Sequence, residues 1–338
     1  MRTSPLPSLP ATGRLLRRVM VTLACGLALT PVVAQNPAAD YPNKPVRVLI
    51  GFPPGQATDT LGRTIAQKLQ EAWGQQFFVD NKPGASGTIA TQMAMSAPAD
   101  GYTLLVSSSG VLAVNPWLFT KLPYDPVKDL APVAGVAVVP LVLVTNPAFP
   151  VANVKELVAA AKAKPGSINY ASSGIGITNH LVMAMFLSAS GTDMTHVPYK
   201  GGPPALTDLM GGQVNVMFET SVGALPFVKQ GRLRALAVSS AERISAVPDV
   251  PTVAEQGFPG FVGVPWISIM APAHTPEPIV RKLNAEINKI LAMPSVKEQF
   301  AQQGVQPMVM SPDELGNFVK AELAKWGKAV KDSGAKAN

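Results

Sequence analysis

The parts of this chain best equipped for chemistry are two loops rich in glycine, proline and hydroxyl side chains, and the chemistry that suits them is anion binding. The first is Gly51-Phe52-Pro53-Pro54-Gly55-Gln56-Ala57-Thr58-Asp59, after the apolar run Val46–Ile50; the second is Asn81-Lys82-Pro83-Gly84-Ala85-Ser86-Gly87-Thr88, after Phe77-Phe78-Val79-Asp80. Each lies between a strand-like run and a helical pattern. The first turn of a helix offers unpaired N–H groups and the positive end of the helix dipole, and glycine lets a backbone come close to a ligand. A third loop of the same make-up, Ser172-Ser173-Gly174-Ile175-Gly176-Ile177-Thr178, follows a short strand-like run at 169–171. Taken singly, each is also an ordinary strand–turn–helix connection.

Other chemistries find little support. His180, His196 and His274 have no metal-ligand spacing, and no metal or cofactor is expected. Ala171-Ser172-Ser173-Gly174-Ile175 lacks both outer glycines of a nucleophile elbow, and Gly84-Ala85-Ser86-Gly87-Thr88 lacks the last one. Gly55 is not followed by the ending of a phosphate-binding Walker loop, and there is no dinucleotide fingerprint. An active site converging from distant positions stays open, but what the loops supply is neutral N–H and O–H donors, which suit binding and release.

Several residues carry two readings. Asp59 is either a first-turn acid favoured by the helix dipole or a ligand contact. Thr58, Ser86, Gly87, Thr88, Ser173, Gly174 and Thr178 are the candidates to face a ligand, with Pro54, Gly55, Gln56, Ala57, Gly84 and Ala85 as their loop neighbours. Ser107, Ser108 and Ser109 follow a strand; one or two of them reach the same place and the rest are solvated turn residues. Tyr199 either closes the pocket or is a buried structural tyrosine. Glu219 reads an amino or hydroxyl group of the ligand or pairs with a lysine, and Phe52 packs against an apolar ligand body.

The elements that position these loops alternate between strand-like and helix-like patterns, the signature of α/β layers. Leu61, Ile65, Leu69 and Trp73 recur at helical spacing within 58–75. Strands are expected at Val46–Ile50, 102–107, 169–171 and 214–218, and helices at 153–163, 179–189, 203–210, 278–293 and 312–331. The apolar run 133–145, divided by Gly135 and Pro140, reads as extended chain passing from one lobe to another, and 233–239 as a return strand to the first lobe.

Residues 1–34 read as an export signal: Arg14, Arg17 and Arg18, then an apolar stretch at 19–33, then Val32-Val33-Ala34 before Gln35. A permanent anchor is the alternative, but the stretch is short and broken by Gly and Pro. Arg17-Arg18-Val19-Met20-Val21 lacks the rest of a twin-arginine pattern, and Thr22-Leu23-Ala24 before Cys25 fits a lipobox poorly. The net charge is +7, but the signal holds four arginines and no acid, leaving 24 basic against 21 acidic residues, or +3. That mild charge has no basic stripe interleaved with aromatics and does not argue for nucleic acid. Cys25, the one cysteine, leaves with the signal.

The ordered set of motifs resembles the periplasmic solute receptors of the tripartite tricarboxylate transporters, the Bug family. The first loop matches as Phe52-Pro53-Pro54-Gly55-Gln56-Ala57-Thr58-Asp59 closing with Arg63, and the second as 81–87. Pro98-Ala99-Asp100-Gly101-Tyr102-Thr103-Leu104, the third loop with His180-Leu181, and Val197-Pro198-Tyr199-Lys200-Gly201 follow in order. So do Gly211-Gly212-Gln213-Val214, the motif at 233–238, Pro248-Asp249-Val250-Pro251-Thr252 with Glu255 and Gly257, and Trp266 with Ala271-Pro272-Ala273-His274-Thr275-Pro276. The resemblance implies a two-lobed Venus-flytrap α/β fold of the type II periplasmic-binding class, with the ligand in the cleft. It implies a lobe built from 35–138 and 238–338 around a second lobe at 139–237. It further implies a periplasmic monomer that binds a small organic carboxylate and delivers it to large and small membrane subunits. A periplasmic ligand sensor and, further off, a secreted hydrolase are the rivals. Gln56 departs from the pattern where a second glycine is usual, and Ser268 and His274 where glycine is common. If the backbone at 56 needs a positive φ, glutamine is strained there; if not, its amide reaches the pocket.

The export reading predicts that intact mass of periplasmic material gives a chain beginning near Gln35 with no cysteine; a lipid-modified species beginning at Cys25 is the contrary result.

Overall fold

A computed structural model describes residues 38–333, with Met1, Thr3 and Ser4. The body of the expected export signal, its cleavage site at Ala34 and Cys25 lie outside the described residues. In chain order the elements are β1 (Val46–Ile50), α1 (Ala57–Trp73), β2 (Phe77–Asn81), α2 (Thr88–Met95), β3 (Thr103–Ser108), α3 (Asn115–Leu118), β4 (Leu130–Val138) and β5 (Leu141–Thr145). There follow α4 (Val154–Ala163), β6 (Asn169–Ser172), α5 (Thr178–Ser190), β7 (Thr195–Pro198), α6 (Gly202–Met210), β8 (Val216–Thr220), α7 (Ser221–Lys229) and β9 (Arg234–Val238). The chain closes with β10 (Trp266–Pro272), α8 (Glu277–Ala292), α9 (Pro294–Gln302), β11 (Gln306–Pro307) and α10 (Pro312–Ser333).

The strands form two sheets, one per lobe, in the orders β11-β4-β10-β3-β1-β2 and β7-β6-β8-β5-β9. In the first, β1 pairs in parallel with β2 and β3, and β10 joins antiparallel. The second repeats the plan: β6 pairs in parallel with β7 and β8, and β5 joins antiparallel. Parallel strands need crossover helices, which cover both faces; accordingly Leu49 and Ile50 of β1, on opposite faces, are both fully buried. In such sheets ligands bind beyond the carboxyl ends of the strands. All three glycine-rich loops leave the carboxyl ends of parallel strands: β1, β2 and β6. Within α1, Leu61, Ile65 and Leu69 are buried as their spacing requires, and Gly74, in the left-handed region at φ 66°, caps the helix by an N–H bond to Gln70 O.

The run 133–145 is two strands, one in each sheet, so the chain crosses between lobes at Val139 and Pro140. The return strand expected at 233–239 does not return. Residues Arg234–Val238 pair antiparallel with β5 in the second sheet. The segment after it stays there, with Val253 N–H donating to Val238 O at 2.9 Å and Gln256 Nε2 to Leu236 O at 2.7 Å. An alternating apolar strand fits either sheet, and only pairing decides between them. The chain comes back just before β10, a central strand of the first sheet that is buried along its whole length. The two crossings are stitched together. Val139 N–H donates to Pro265 O at 2.8 Å, Ser239 Oγ donates to Gly263 O at 2.7 Å, and Leu141 N–H donates to Ser239 Oγ at 3.0 Å.

Two buried clusters stiffen the lobes. In the first, Glu322 of α10 accepts on Oε2 from the indole N–H groups of Trp266 at 2.9 Å and Trp326 at 2.7 Å. In the second, Tyr170, His196 and His180 stack with centroids 4.7 and 4.3 Å apart, and Ser172 Oγ lies 2.6 Å from His196 Nε2. Burial, and the neighbouring His180, push His196 down to about 4; burial also lowers His180. Both rings are therefore neutral near pH 7.

Two outcomes follow from these clusters. Glu322→Ala strands two buried indole donors and should cost roughly 2–4 kcal/mol in denaturant unfolding, while Glu322→Gln, which keeps an acceptor, should cost less. For the histidines, the unfolded chain takes up protons below about pH 6.5 whereas the folded rings resist them. Their contribution is full above that pH and is lost as pH falls towards about 4. Melting temperatures across this window should therefore fall less steeply in His196→Phe than in the parent.

Candidate functional site

The first loop delivers the start of α1 to the space between the lobes. The helix ladder begins with Thr60 N–H to Gln56 O at 2.9 Å, so the amides of Ala57, Thr58 and Asp59 have no partner within the helix. Gln56 is the N-cap, with φ −77° and ψ 155°. That is ordinary extended backbone, so glutamine is not strained there. Asp59 is buried and turned away from the cleft, accepting from Gly55 N–H at 2.9 Å, Arg63 Nε at 2.9 Å and Asn81 Nδ2 at 2.8 Å. Burial works to raise its pKa, but the bonds from Arg63, Asn81 and Gly55 outweigh it and hold the carboxyl below the usual aspartate range. Asn81 also donates to Phe52 O at 3.0 Å. Asp59 thus ties the first loop to the start of the second.

The second loop packs backbone on backbone against the first: a Cβ added to Gly51 would lie 2.8 Å from Gly87 Cα. Ala85 and Ser86 hold left-handed backbone, at φ 45° and 53°, a strain that persists only where surroundings enforce it. Ser86 Oγ donates to Ile175 O of the other lobe at 2.5 Å. The hydroxyl expected to serve a ligand here fastens the lobes to each other.

From the second lobe, the third loop brings the start of α5. His180 N–H and Leu181 N–H donate to Ile177 O, leaving the amides of Thr178 and Asn179 without a partner in the helix. Thr178 Oγ1 lies 3.1 Å from Ser109 Oγ across the cleft, and Ser173 Oγ accepts from Asn179 Nδ2 at 3.0 Å. Gly201 sits against the first lobe, where a Cβ would come within 2.8 Å of Pro53 Cγ and 3.5 Å of Gln56 Oε1.

Two cavities result. The inner one, about 40 Å³, is lined by both helix starts, Gln56-Ala57-Thr58 and Ile177-Thr178-Asn179, with Ser108, Ser173, Thr220, Phe52 and Trp266 among its other walls. The outer one, about 570 Å³, is lined by the second loop, Phe119, Tyr199 and Lys200 among others, and shares Phe52, Ser173 and Ile177 with the inner. No charged side chain lines the inner cavity; Lys200 alone lines the outer. Lys82 pairs with Asp80 at 3.1 Å and lines neither.

The expected residues divide on this geometry. Phe52, Gln56, Ala57, Thr58, Ser108, Ser173 and Thr178 line the inner cavity; Gly84, Ala85, Ser86, Gly87, Gly174 and Tyr199 line the outer. Pro54, Gly55, Asp59, Thr88, Ser107 and Glu219 line neither. Tyr199 donates to Asp208 Oδ2 at 2.7 Å. Glu219 is buried, accepts on Oε1 from Thr220 N–H at 2.9 Å and Oγ1 at 2.7 Å, and is pushed up to about 7 by burial. Among the described residues it forms no lysine pair. Ser268 and His274 are also clear of both cavities. Residues not anticipated as walls are Asn179, Thr220 and Trp266. Asn179 was legible as the next residue of a helix start; Trp266 was not, since a tryptophan in an apolar run reads as core.

The Ser172–His196 contact has the length of a nucleophile–base pair, yet Ser172 is fully buried and lines neither cavity. Among the described residues no cluster of three or more His, Cys, Asp or Glu side chains is placed to hold a metal.

Comparison with known proteins agrees with this architecture. The sequence model of the tripartite tricarboxylate transporter family receptor matches residues 61–335. Protein BugT of Bordetella pertussis is 40% identical over 320 residues, covering 94% of this chain and 98% of that protein. Among solved structures, R. palustris Rpa4515 with adipate superposes with a TM-score of 0.86 at 36% identity, covering 88% of this chain and 99% of that one. MatC (Rpa3494) from Rhodopseudomonas palustris with bound malate gives 0.81 at 34% identity, covering 86% of this chain and 100% of that one. With its two lobes, its cleft and its match over most of the sequence, the chain belongs to the tripartite tricarboxylate transporter receptor family.

Proposed function

We propose that this protein is an exported periplasmic receptor that holds a small organic carboxylate between its lobes and hands it to the large and small membrane subunits of a tripartite tricarboxylate transporter. It performs no chemistry of its own on the ligand. The observation that carries this reading is the convergence of two helix starts, one from each lobe, on a cavity with no charged side chain in its wall. Unpaired amides and positive dipole ends favour an anion there. The adipate and malate held by the two Rhodopseudomonas relatives support a carboxylate.

Thr58 and Ser173 supply hydroxyl donors from opposite lobes, and Phe52 and Ile177 form the apolar waist through which the body of a longer ligand passes outwards. We place one lobe at 38–138 and 264–333 and the other at 141–262, hinged at the paired crossings. Ligand then favours the closed form because only that form presents both helix starts at once.

The test is calorimetry with succinate, malate and adipate. A hydrogen bond to a charged acceptor is worth roughly 1.5–3 kcal/mol, so Thr58→Val and Ser173→Ala should each weaken binding about ten- to a hundredfold. Lys82→Ala and Lys200→Ala should stay within about threefold, and affinity should change little with salt because the donors are buried dipoles. Loss of binding in either lysine variant, with the hydroxyl variants unchanged, would place the anchor on a cation instead.

A further inference from the structure

Gln56 is the one residue of the inner cavity whose polar group is buried and has no protein partner: the residue is 7% exposed, and its Oε1 is enclosed without a hydrogen bond. Its polar neighbours in the wall are engaged or free to serve a carboxylate. Asn179 bonds Ser173, Thr178 bonds Ser109, and Thr220 bonds Glu219. Buried amide groups in folded proteins are almost always paired, because leaving one unpaired carries its full desolvation cost. The backbone at this position is relaxed, so the side chain is not placed there as a consequence of strain. It stands at the N-cap of α1, beside the amides that face the anion, and its Oε1 points towards Gly201, at the seam with the outer cavity.

We infer that Gln56 selects, among carboxylates, those with a hydroxyl close to the bound carboxylate. This rests on the carboxylate reading above and adds the second group that the cleft recognises. A hydroxyl both donates and accepts, so it satisfies the carboxamide whichever of its two ends turns inward. An ammonium group at the same place would need a counter-charge, and no Asp or Glu lines either cavity. A hydrogen or methyl there leaves the carboxamide unpaired, the situation in which a polar site rejects an analogue most strongly.

The experiment is calorimetry of the parent protein and of Gln56→Gly with three matched pairs: propionate and lactate, succinate and malate, phenylacetate and mandelate. The parent should bind the hydroxylated member of at least one pair about tenfold or more tightly. In Gln56→Gly that preference should shrink to within about threefold, mainly through weaker binding of the hydroxylated member. Equal binding within every pair, or a preference that survives in Gln56→Gly, overturns the inference and leaves the carboxylate reading standing. Binding of none of the six overturns both.

Discussion

Unpaired backbone amides at the starts of two long helices are the constraint on which this molecule is built. A helix cannot satisfy the N–H groups of its own first turn, and here one such turn from each lobe is directed at the same 40 Å³ space. Water or an anion must meet them. Lysine or arginine in the wall would add attraction, but also a charge to desolvate whenever the cleft is empty and closed. Neutral donors avoid that cost and leave release possible, which suits a protein that must give up what it binds.

The rest of the first lobe keeps this arrangement in place. Asp59 looks like a ligand contact in sequence, but it acts one step behind the cleft. By taking bonds from Gly55, Arg63 and Asn81 it fixes the turn that leads into α1 and binds it to the loop that follows β2. Its carboxyl is held in the charged form by those same bonds. The left-handed backbone at Ala85 and Ser86 then carries the second loop across to Ile175 of the other lobe. The Ser86 hydroxyl there joins the two lobes through a carbonyl of the third loop.

The two connections between the sheets lie side by side and are hydrogen-bonded to each other. Ser239 donates to Gly263 O of the returning segment and accepts from Leu141 N–H at the start of β5, so one side chain joins the two connections. Glu322 and its two indole partners stiffen the first lobe, and the Tyr170–His196–His180 stack stiffens the second beneath the third loop.

The sequence by itself determined the local pieces. Glycine, proline and hydroxyl residues after apolar runs marked the three loops, helical spacing of Leu61, Ile65 and Leu69 marked α1, and a proline break at 140 marked the first crossing, because each of these is dictated by backbone stereochemistry within a few residues. The order of the motifs along the chain pointed to the family. What only the tertiary structure decided were matters of partnership. Residues 234–238 joined the second sheet and not the first, Glu219 turned into the core, Ser86 found a carbonyl 89 positions away, and Trp266 became a wall of the cleft. A strand's alternation, a carboxylate or a hydroxyl is equally compatible with several neighbours. The choice among them is made by which surfaces the closed fold brings within hydrogen-bonding distance, and that is a property of the whole chain.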